Sequence, residues 1–517
     1  MLKMVDGTGI IGVDMVCPLG GTVSPPQPPN YDNVEMEGVG SLMLPNSLKA
    51  PLERLELIGN STQGENPAPE NPQEIKSAGR KSKNLLNLQK QPDVKETYLG
   101  WKVSDGRNVV LSVKDKGNNA DITGCYLGLS RTGGSSDGVV WVVNNGSVAV
   151  KEVVSKNQYV SVFPSNETTV RKLLERFDIQ VEYGSNATDY EPYGYLLDVK
   201  VTGKNLFDQS KLISGFINMT TGAFEESTNT SFANSLILDK PILLKSGQTL
   251  VTSVDNKYVQ NFLRYRTYRK DGTFLINNEP LSFSYKATED LYVIALFYNG
   301  MSEEDKKSLQ IEISDEPTTY EPYTEQTLTL TSDRPLTKWD KLVEQGGQYG
   351  WLYGSKIYVV TGNEVFESRD GYNIESYTNR FFILNDLLKE NDALKPLAYM
   401  KCLRNVQYVY SPNIFEEGFE TNINQFHIKL SNDRVGILAS DDHAVRTAKF
   451  SEYMKKIHKN GNPIEILYAT TDTVFLPLPQ SEQTQLRNLH SYNGTTNITV
   501  DSGEVPCGIK LTYRKEK

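Results

Sequence analysis

Apolar and polar residues alternate along this chain over short runs, and Gly, Asn and Asp separate the runs. Typical examples are NVVLSV, LYVIALFYNG and SKIYVVTGNEVF, which are rich in Val, Ile, Tyr and Phe. A period of two places apolar side chains on one face of a strand and polar side chains on the other. Many short strands with regular turn signals are typical of sandwiches and jelly rolls. The pattern predicts a mainly β protein of several tandem β-sandwich or jelly-roll modules with few short helices.

Two local signals refine this prediction. Asn145-Gly146 lies between the apolar runs VVWVV and SVAV, and Asn-Gly is the strongest short-range signal for a β-hairpin. Helical periodicity, with apolar residues three or four positions apart, is confined to a few segments. The predicted helices cover residues 168–177, 302–308, 381–394 and 445–460.

A segment of domain size occurs twice. IQVEYGSNATDYEPY (179–193) aligns without a gap on LQIEISDEPTTYEPY (309–323). The matched polar pairs are Gln180 with Gln310, Glu182 with Glu312, and Thr188 with Thr318. Upstream, KNLLN begins at Lys83 and KNLFD at Lys204, which gives two related modules of about 111 and 120 residues. This repeat is far longer than the period of a solenoid.

The sequence Tyr-Glu-Pro-Tyr closes each copy of the repeat. Proline has no N–H to donate to a ladder, so each proline marks where the chain leaves its sheet. The flanking tyrosines are expected to cover the end of the core with their rings while their hydroxyls reach water. The prediction is a structural latch made of Tyr190, Pro192, Tyr193, Tyr320, Pro322 and Tyr323.

Proline-rich and polar stretches divide the 517 residues, which are too many for a single core. PPQPPNYDN and NSTQGENPAPENPQEIKSAGRKSKN are predicted to be tethers. The five predicted units are an N-terminal attachment segment (1–30), a small β segment with a linker (31–82), the first jelly-roll module (83–195), the second jelly-roll module (196–325) and a C-terminal mainly β domain (326–517).

Composition narrows the classes of function. A net charge of −10 and a pI near 5.2 argue against nucleic-acid binding, which needs a basic surface. No apolar run approaches the roughly 20 residues that span a bilayer, and the N-terminus is a poor signal peptide. We therefore expect no membrane insertion and synthesis in a cytoplasm. The cysteines lie far apart without a CxxC pair, so no metal, cofactor or disulfide framework is expected; they are Cys17, Cys125, Cys402 and Cys507.

Several longer segments occur in a characteristic order. VGSLMLPNSLKAPLERLELIGNSTQGENPAPENPQEIKSAG (39–79) precedes KNLL and QVEYGSNATDYEPYG, and FHIKLSNDRVGI (426–437) and SEQTQLRNLHSYNGTTNITVDSG (481–503) follow. This order resembles tail and baseplate-associated proteins of bacteriophages and prophages of Gram-positive bacteria. The resemblance covers most of residues 35–517, and its motifs are specific only in combination. Residues 1–30 do not match these proteins. The segment WLYGSKIYVVTGNEVFESRDGYN (351–373) differs from the sequence that is usual in them.

The resemblance implies a virion component at the tail tip, with modules similar to carbohydrate-binding modules that face the host surface. It also implies other tail or baseplate proteins as partners, and a homotrimer as the oligomer. A single shallow sugar site binds weakly, since a Kd of about 1 mM corresponds to only about −4 kcal/mol. Linking several copies raises the apparent affinity by roughly 10²–10⁴. Host adsorption through such sites therefore predicts a homo-oligomer.

Catalytic chemistry has few candidates. DDHAVR (441–446) places His443 beside two carboxylates, but no second histidine follows at the spacing of a metal ligand. GSSDG (134–138) fits G-x-S-x-G, yet it runs into a strand, whereas a nucleophile elbow needs a helix after the serine. We predict that the protein is not an enzyme. Glycan hydrolysis by a carboxylate pair stays open as a lesser alternative.

Sugar binding needs flat apolar rings beside polar groups. The candidates are Trp101, Tyr126 and Trp141 in the first module, and Tyr258, Arg264, Tyr265, Arg266 and Tyr268 in the second. In a strand, Arg264, Arg266 and Tyr268 share one face and Tyr265 takes the other, so these four do not all line one groove. The competing interpretation places Trp141 in the hydrophobic core and the two arginines on a solvated face.

Three functions stay open at this point. The first, which we favour, is adhesion to host cell-wall polysaccharide by a virion tail protein. The second is a purely structural tail component whose modules are spacers. The third, the weakest, is a cell-wall glycan hydrolase.

Overall fold

A computed structural model describes most of the chain. The described residues are 4–6, 9–11, 31–68, 70–88, 90, 92, 94–95, 98–133, 138–226, 234–253, 263–275, 284–297, 302–369, 379–385, 398–400, 417–422, 425–460 and 463–516. The fold is mainly β with short helices, as the sequence predicts. The predicted attachment segment 1–30 lies largely outside the described residues, which include only its strands Met4–Asp6 and Gly9–Ile11.

A twelve-stranded antiparallel sheet, here called the central sheet, is the largest within the described ranges. Its order from edge to edge is Glu325–Ser332, Tyr195–Thr202, Gly494–Asp501, Ser41–Ser47, Tyr31–Val39, Gly508–Glu516, Arg54–Ile58, Lys341–Gln345, Gln348–Val359, Glu465–Pro477 and Ala398–Met400, and Arg80–Lys81 also pairs with Tyr195–Thr202.

The central sheet joins the two ends of the sequence. Tyr31–Val39 pairs with Gly508–Glu516 along its whole length, from Tyr31 opposite Glu516 to Val39 opposite Gly508. The strand Arg54–Ile58 pairs with the other side of Gly508–Glu516, and its residues alternate: Leu55 and Leu57 are buried in the core while Glu56 forms an ion pair with Arg54. Residues 31–82 therefore do not form the separate small segment that the sequence predicts, because their apolar face needs the C-terminal strands to cover it.

Residues 83–194 form a β-sandwich, here called the first sandwich. The order of its larger sheet is Ser147–Val148, Val140–Asn144, Tyr126–Ser130, Tyr159–Phe163, Leu99–Lys102 and Val94–Lys95, and that of its smaller sheet is Glu152–Ser155, Val109–Asp115 and Phe177–Tyr183. Both sheets contribute to one core, for example Leu127 and Val162 from the larger sheet and Leu111 and Val181 from the smaller.

Residues 204–324 form the second sandwich, which has the same topology. The order of its larger sheet is Leu212–Ser214, Leu236–Leu238, Leu291–Phe297, Leu263–Arg269 and Phe274–Leu275, with Ile242–Leu244 also paired to Leu291–Phe297, and that of its smaller sheet is Ser284–Lys286, Thr249–Ser253 and Gln310–Ile313. In both sandwiches a helix directly precedes the last strand; these helices are Glu167–Arg176 and Glu303–Ser308. The repeat in the sequence is thus a repeat of topology.

Both sandwiches are insertions into the central sheet. The chain leaves this sheet after Lys81 and returns at Tyr195, and between them the backbone N–H of Ser82 donates to the carbonyl of Gly194 at 2.9 Å. It leaves again after Thr202 and returns at Glu325, where the N–H of Gly203 donates to the carbonyl of Thr324 at 3.2 Å.

The two sandwiches therefore hang from opposite ends of one strand, Tyr195–Thr202. The sequence predicts this strand as the start of the second jelly-roll module (196–325), and the structure places it in the central sheet. Its alternating apolar residues Leu197, Val199 and Val201 are buried in the core of that sheet, which is why it pairs there.

A four-stranded sheet packs beside the central sheet near the C-terminus. Its order is Phe366–Arg369, Asn379–Asn385, Gln425–Ser431 and Gly418–Asn422. The helix His443–Lys459 buries Phe450 and Met454 in the same cluster as Phe426 and Ile428. The predicted helix 381–394 is wrong in its first residues, which form a strand paired with Gln425–Ser431, and the rest of it lies outside the described residues.

The remaining described elements are short. They are the helices Asn432–Val435 and Gln480–Asn488, the 3-10 turn Gln209–Lys211, and the strand pairs Ser61–Gln63 with Ile75–Ser77 and Phe216–Ile217 with Phe224–Glu225. The predicted hairpin at Asn145-Gly146 is confirmed, with positive φ values of 48° and 84° that suit an Asn-Gly turn.

Candidate functional site

The face of the larger sheet that points away from the core of the first sandwich, here called the outer face, carries three rows of side chains. Cross-strand pairing sets the rows, because residues directly opposite each other lie side by side. The first row is Phe163 and Tyr126, joined by Tyr98, which precedes the strand Leu99–Lys102 and stacks on Phe163. The second row is Gly100, Ser161 and Gly128, and the third is Lys102, Tyr159 and Ser130. The intervening residues, such as Leu99, Trp101, Leu127 and Val162, point into the core.

The first row and Trp141 form a cluster of four half-buried rings, here called the aromatic platform. Tyr98 stacks on Phe163 with ring centroids 4.9 Å apart and on Trp141 at 6.0 Å. Tyr126 meets Trp141 edge-on at 5.5 Å and Phe163 at 5.3 Å. The four rings thus close a cycle in which neighbours touch, and such offset and edge-to-face pairs are mutually stabilising.

Small residues beside the platform determine how it is built. Trp141 lies opposite Gly128, where an added Cβ would come within 3.0 Å of the indole and 2.4 Å of the carbonyl of Val140. Only glycine leaves room for the indole ring at this point. Behind it, the buried hydroxyls of Ser130 and Ser161 lie 2.7 Å apart, and Ser130 accepts the N–H of Gly133 at 3.0 Å. The start of the following loop is thereby fixed on the outer face, next to the platform.

The outer face carries little charge. Among the described residues that make up its three rows and Trp141, Lys102 is the charged one, and it lies in the row farthest from Tyr98 and Tyr126. A partly exposed aromatic surface without a carboxylate suits an uncharged ligand with apolar C–H groups, and a sugar ring has such groups on its faces.

Two of the three residues predicted for the first module lie in this platform, namely Tyr126 and Trp141. The competing interpretation of Trp141 as a core residue is wrong, since Trp141 is half-buried and points away from the core cluster. Trp101 does not belong to the site. It is 5% exposed, packs in the core, and its indole Nε1 donates to the carbonyl of Lys90 at 2.7 Å.

The site also contains two residues that the sequence analysis missed, Tyr98 and Phe163. The alternation in YVSVF contains a usable signal, because Val160 and Val162 face the core and Phe163 therefore takes the outer face. Tyr98 is three residues from Trp101, an odd spacing that places the two rings on opposite faces of a strand.

Of the residues predicted in the second module, those that the structure describes are buried or hydrogen-bonded within their own sandwich. Tyr265 is 1% exposed, its hydroxyl is hydrogen-bonded to Thr252, and burial raises its pKa. Arg266 is 3% exposed, so it does not lie on the predicted solvated face. Arg264 is half-buried and donates to the carbonyl of Leu263 at 2.7 Å.

Tyr268 and Tyr258 are the other two residues predicted in the second module. The hydroxyl of Tyr268 donates to the carbonyl of Gly222 at 2.8 Å, and its ring packs on Phe274 at 5.2 Å. The predicted split, with Tyr265 on one face of the strand and Arg264 and Tyr268 on the other, agrees with the burial of Tyr265 in the core. Tyr258 lies outside the described residues.

The tyrosines of the predicted latch are not core residues. Tyr190, Tyr193 and Tyr320 are 38%, 44% and 41% exposed. Pro192 and Tyr323 are half-buried, and Pro322 is exposed. The Tyr323 hydroxyl donates to Glu325 in the central sheet. The rings therefore do not cover the ends of the two cores as predicted. Polar groups next to the rings close each sandwich instead.

A buried polar network ties each Tyr-Glu-Pro-Tyr segment to the last strand of its sandwich. Glu182, 3% exposed, accepts from the Gln180 amide at 2.8 Å and from the N–H and hydroxyl of Thr188 at 2.8 and 2.7 Å. The side-chain oxygen Oε1 of Gln180 accepts the backbone N–H of Glu191 at 2.7 Å. The second sandwich repeats every contact with Glu312, Gln310, Thr318 and Glu321, at 2.7–2.9 Å.

An asparagine completes each network where the chain enters the sandwich. The Asn84 amide donates to the carbonyls of Ile179 and Glu191 at 3.0 and 3.2 Å, and its oxygen accepts the N–H groups of Leu86 and Val181 at 3.0 and 3.1 Å. Asn205 makes the four equivalent contacts in the second sandwich. Each asparagine thus joins the first and last segments of its sandwich.

The catalytic candidates have structural partners. Asp442 caps the helix His443–Lys459 by accepting the N–H of Val445 at 2.9 Å, and Asp441 forms an ion pair with Lys449 at 2.7 Å. Most of GSSDG lies outside the described residues. In the ranges that the structure describes, no cluster of three or more His, Cys, Asp or Glu side chains is placed to hold a metal ion. None of the helices described is long and apolar enough to cross a membrane.

Comparisons with known proteins give no family. No family model matches this chain, and no curated protein matches it. Among solved structures, the arabinofuranosyltransferase AftD from Mycobacteria aligns over 94% of this chain and 37% of its own, with 8% sequence identity and a TM-score of 0.12. Similarity at that level carries no argument about fold or function.

Proposed function

We propose that this chain is a tail-tip or baseplate protein of a bacteriophage or prophage of Gram-positive bacteria, and that it adheres to host-surface glycan through the aromatic platform. The observation that carries the adhesive function is the position of the four rings. They lie on the outer face of the first sandwich, partly exposed, and they are not members of its core cluster. The placement in a virion rests on the resemblance of the sequence.

The chemistry of the platform favours a neutral sugar. Tyr and Trp rings bury apolar area while keeping a polar group at the edge, and this matches a pyranose ring with C–H faces and hydroxyls at its rim. Neighbouring ring centroids lie 4.9–6.0 Å apart in a closed cycle, so the platform is compact and not a long groove. We expect it to hold a short stretch of polysaccharide, with low affinity per site.

Low affinity per site makes the number of copies important. A homotrimer, in contact with other tail or baseplate proteins, would present several platforms to one cell wall, and linked sites raise the apparent affinity by roughly 10²–10⁴. The central sheet is the part of the chain suited to this assembly, since both sandwiches hang from it at the ends of the strand Tyr195–Thr202.

The test is adsorption of the purified full-length protein to intact cells of a panel of Gram-positive hosts, before and after removal of wall polysaccharide. We expect binding that disappears when the polysaccharide is removed. Trp141→Ala and Tyr98→Ala should each weaken it at least about tenfold, which equals about 1.4 kcal/mol. Tyr320→Ala, which changes an exposed tyrosine away from the platform, is the matched control and should bind normally.

A purely structural tail component is the second candidate. The observation that favours it is the repeated polar network, which closes both sandwiches in the same way and makes each a self-contained spacer. Absence of adsorption to every host, from protein shown to be folded and oligomeric, would support this function and refute adhesion.

A further inference from the structure

The second sandwich has a face equivalent to the outer face of the first sandwich, and its own chain covers the part of this face around Leu296 and Ile294. On the two middle strands of its larger sheet, the residues on this face form the cross-strand pairs Arg264 with Leu296, Arg266 with Ile294, and Tyr268 with Tyr292. In the first sandwich the corresponding pairs are Tyr126 with Phe163, Gly128 with Ser161, and Ser130 with Tyr159. Topology makes these faces equivalent, while their side chains differ.

A hairpin formed by the strands Phe216–Ile217 and Phe224–Glu225, here called the covering hairpin, lies on this face. Phe216 and Ile217 are 6% and 3% exposed and share a cluster with Ile237 and Leu296, which is separate from the main core of the second sandwich. The first sandwich has no described counterpart of this hairpin among residues 98–133 and 138–183.

Specific contacts fix the covering hairpin in place. The Tyr268 hydroxyl donates to the carbonyl of Gly222 at 2.8 Å, and the N–H of Asn218 donates to Ala223 at 2.9 Å. Gly222 has a φ of +71°, and a Cβ there would lie 2.4 Å from the ring of Phe274. Only glycine allows the hairpin to approach this closely.

We infer that the two sandwiches are functionally unequal: each chain has one glycan site, on the first sandwich, and in the second sandwich the covering hairpin occupies the position equivalent to the aromatic platform, at Leu296. This inference rests on the proposed function. In the first sandwich, Gly133 and Val139 cover the middle row of the outer face at Gly100 and Gly128, and the rings of the aromatic platform stay partly exposed beside them. In the second sandwich, apolar residues at the equivalent position hold the hairpin instead. Multivalency therefore comes from copies of the chain and not from the tandem repeat.

The first experiment measures stoichiometry with the full-length protein. An array of neutral, amino and acidic glycans identifies a binder, and calorimetric titration with that glycan gives the number of sites per chain. We expect one site, abolished by Trp141→Ala and unchanged by Tyr292→Ala, which alters a residue 36% exposed on the equivalent strand of the second sandwich. Two sites per chain, or loss of half of the sites in Tyr292→Ala, would overturn the inference.

The second experiment tests the closure without any glycan. Gly222→Ala places a Cβ against Phe274, whereas Gly247→Ala introduces the same kind of backbone strain, at φ +85°, with no atom within 4 Å of the new Cβ. We expect Gly222→Ala alone to increase the fluorescence of an apolar-surface dye and hydrogen exchange in the covering hairpin. Equal behaviour of the two variants would show that the hairpin does not close this face. An array without any binder would instead refute the proposed function and leave this second result intact.

Discussion

The carboxylate of Glu182 receives both the backbone N–H and the hydroxyl of Thr188, at 2.8 and 2.7 Å. Glu312 and Thr318 repeat this relationship in the second sandwich at 2.7 and 2.8 Å. Both carboxylates are almost completely buried, at 3% and 2% exposure, so each depends on these donors for solvation. The polar residues conspicuous in the repeat of the sequence are therefore structural.

Replacing Glu182 by Gln should destabilise the first sandwich. Hydrogen bonds to a charged group contribute about 1.5–3 kcal/mol, and the amide cannot accept from all of the donors that the carboxylate satisfies. We expect the free energy of unfolding to fall by that amount in chemical denaturation. Glu152→Gln, at an exposed position of the same sandwich, should change it by less than about 0.5 kcal/mol. Equal stability of the two variants would contradict a structural role for Glu182.

The same residue predicts a pH dependence. Burial raises the pKa of Glu182, but the hydrogen bonds from Thr188 and Gln180 outweigh this effect and hold the pKa below its ordinary value of 4.5. The stabilisation is therefore complete above about pH 4.5 and is lost as the pH falls through the lower pKa of the folded state. Melting temperatures measured across this range should fall more steeply for the native protein than for Glu182→Gln. Parallel curves would disprove the linkage.

Substitutions of Trp101 and Trp141 should have different effects on the stability of the protein and on its binding to cells. Trp101→Ala removes a core side chain and should cost about 3–5 kcal/mol of unfolding free energy. Trp141→Ala removes a half-buried ring of the aromatic platform and should reduce adsorption to host cells with a smaller loss of stability. Denaturation and cell adsorption measured on both variants check this. A Trp141→Ala protein that adsorbs normally would mean that the platform is only a packing feature.

Asn84→Ala should loosen the junction between the first sandwich and the central sheet. The substitution deletes four hydrogen bonds and leaves backbone groups of Val181 and Ile179 without their partner in a buried site. We expect a loss of about 2–4 kcal/mol, from penalties of 1–3 kcal/mol for each unsatisfied group. Proteolysis should then cut near residues 82–84, where the native protein resists. Asn87→Ala, close by in the sequence, is the control.

The described cysteines should be unreactive in the folded protein. Burial raises the pKa of the Cys507 thiol to about 11 and also raises that of Cys125. Since the thiolate is the reactive form, an alkylating reagent at about pH 8 should label neither residue until the protein is denatured. Peptide mapping after labelling measures this for each cysteine separately. Rapid labelling of Cys507 in the native protein would contradict its placement in the core of the central sheet.

Local sequence patterns predicted the strands and turns more accurately than they predicted how these elements pack together. The Asn-Gly turn at Asn145 depends on neighbouring residues, and the structure confirms it. The burial of Gln180 and Glu182 has no such local signal, although Ile179 and Val181 beside them enter the core. Burial there depends on the donors of Thr188 to Glu182 and on the N–H of Glu191, which donates to Gln180, and only the folded chain brings these groups together.

Long-range pairing was the main feature that the sequence did not reveal. The pairing of Tyr31–Val39 with Gly508–Glu516 joins residues more than 400 positions apart, and no local signal specifies such a partner. The same limitation applies to the site. Trp101 and Trp141 are equal as residue types, and only cross-strand register shows that one faces the core and the other lies opposite Gly128 on the outer face.

The position of the first sandwich has a consequence for the exchange of segments between related chains. The chain enters and leaves this sandwich at Ser82 and Gly194, which are joined by one hydrogen bond, so the ends of the inserted segment already lie side by side. Recombination that exchanges residues 83–194 for a homologous segment would replace the aromatic platform and keep every strand of the central sheet paired. The surface of the first sandwich can therefore change without any rebuilding of the central sheet.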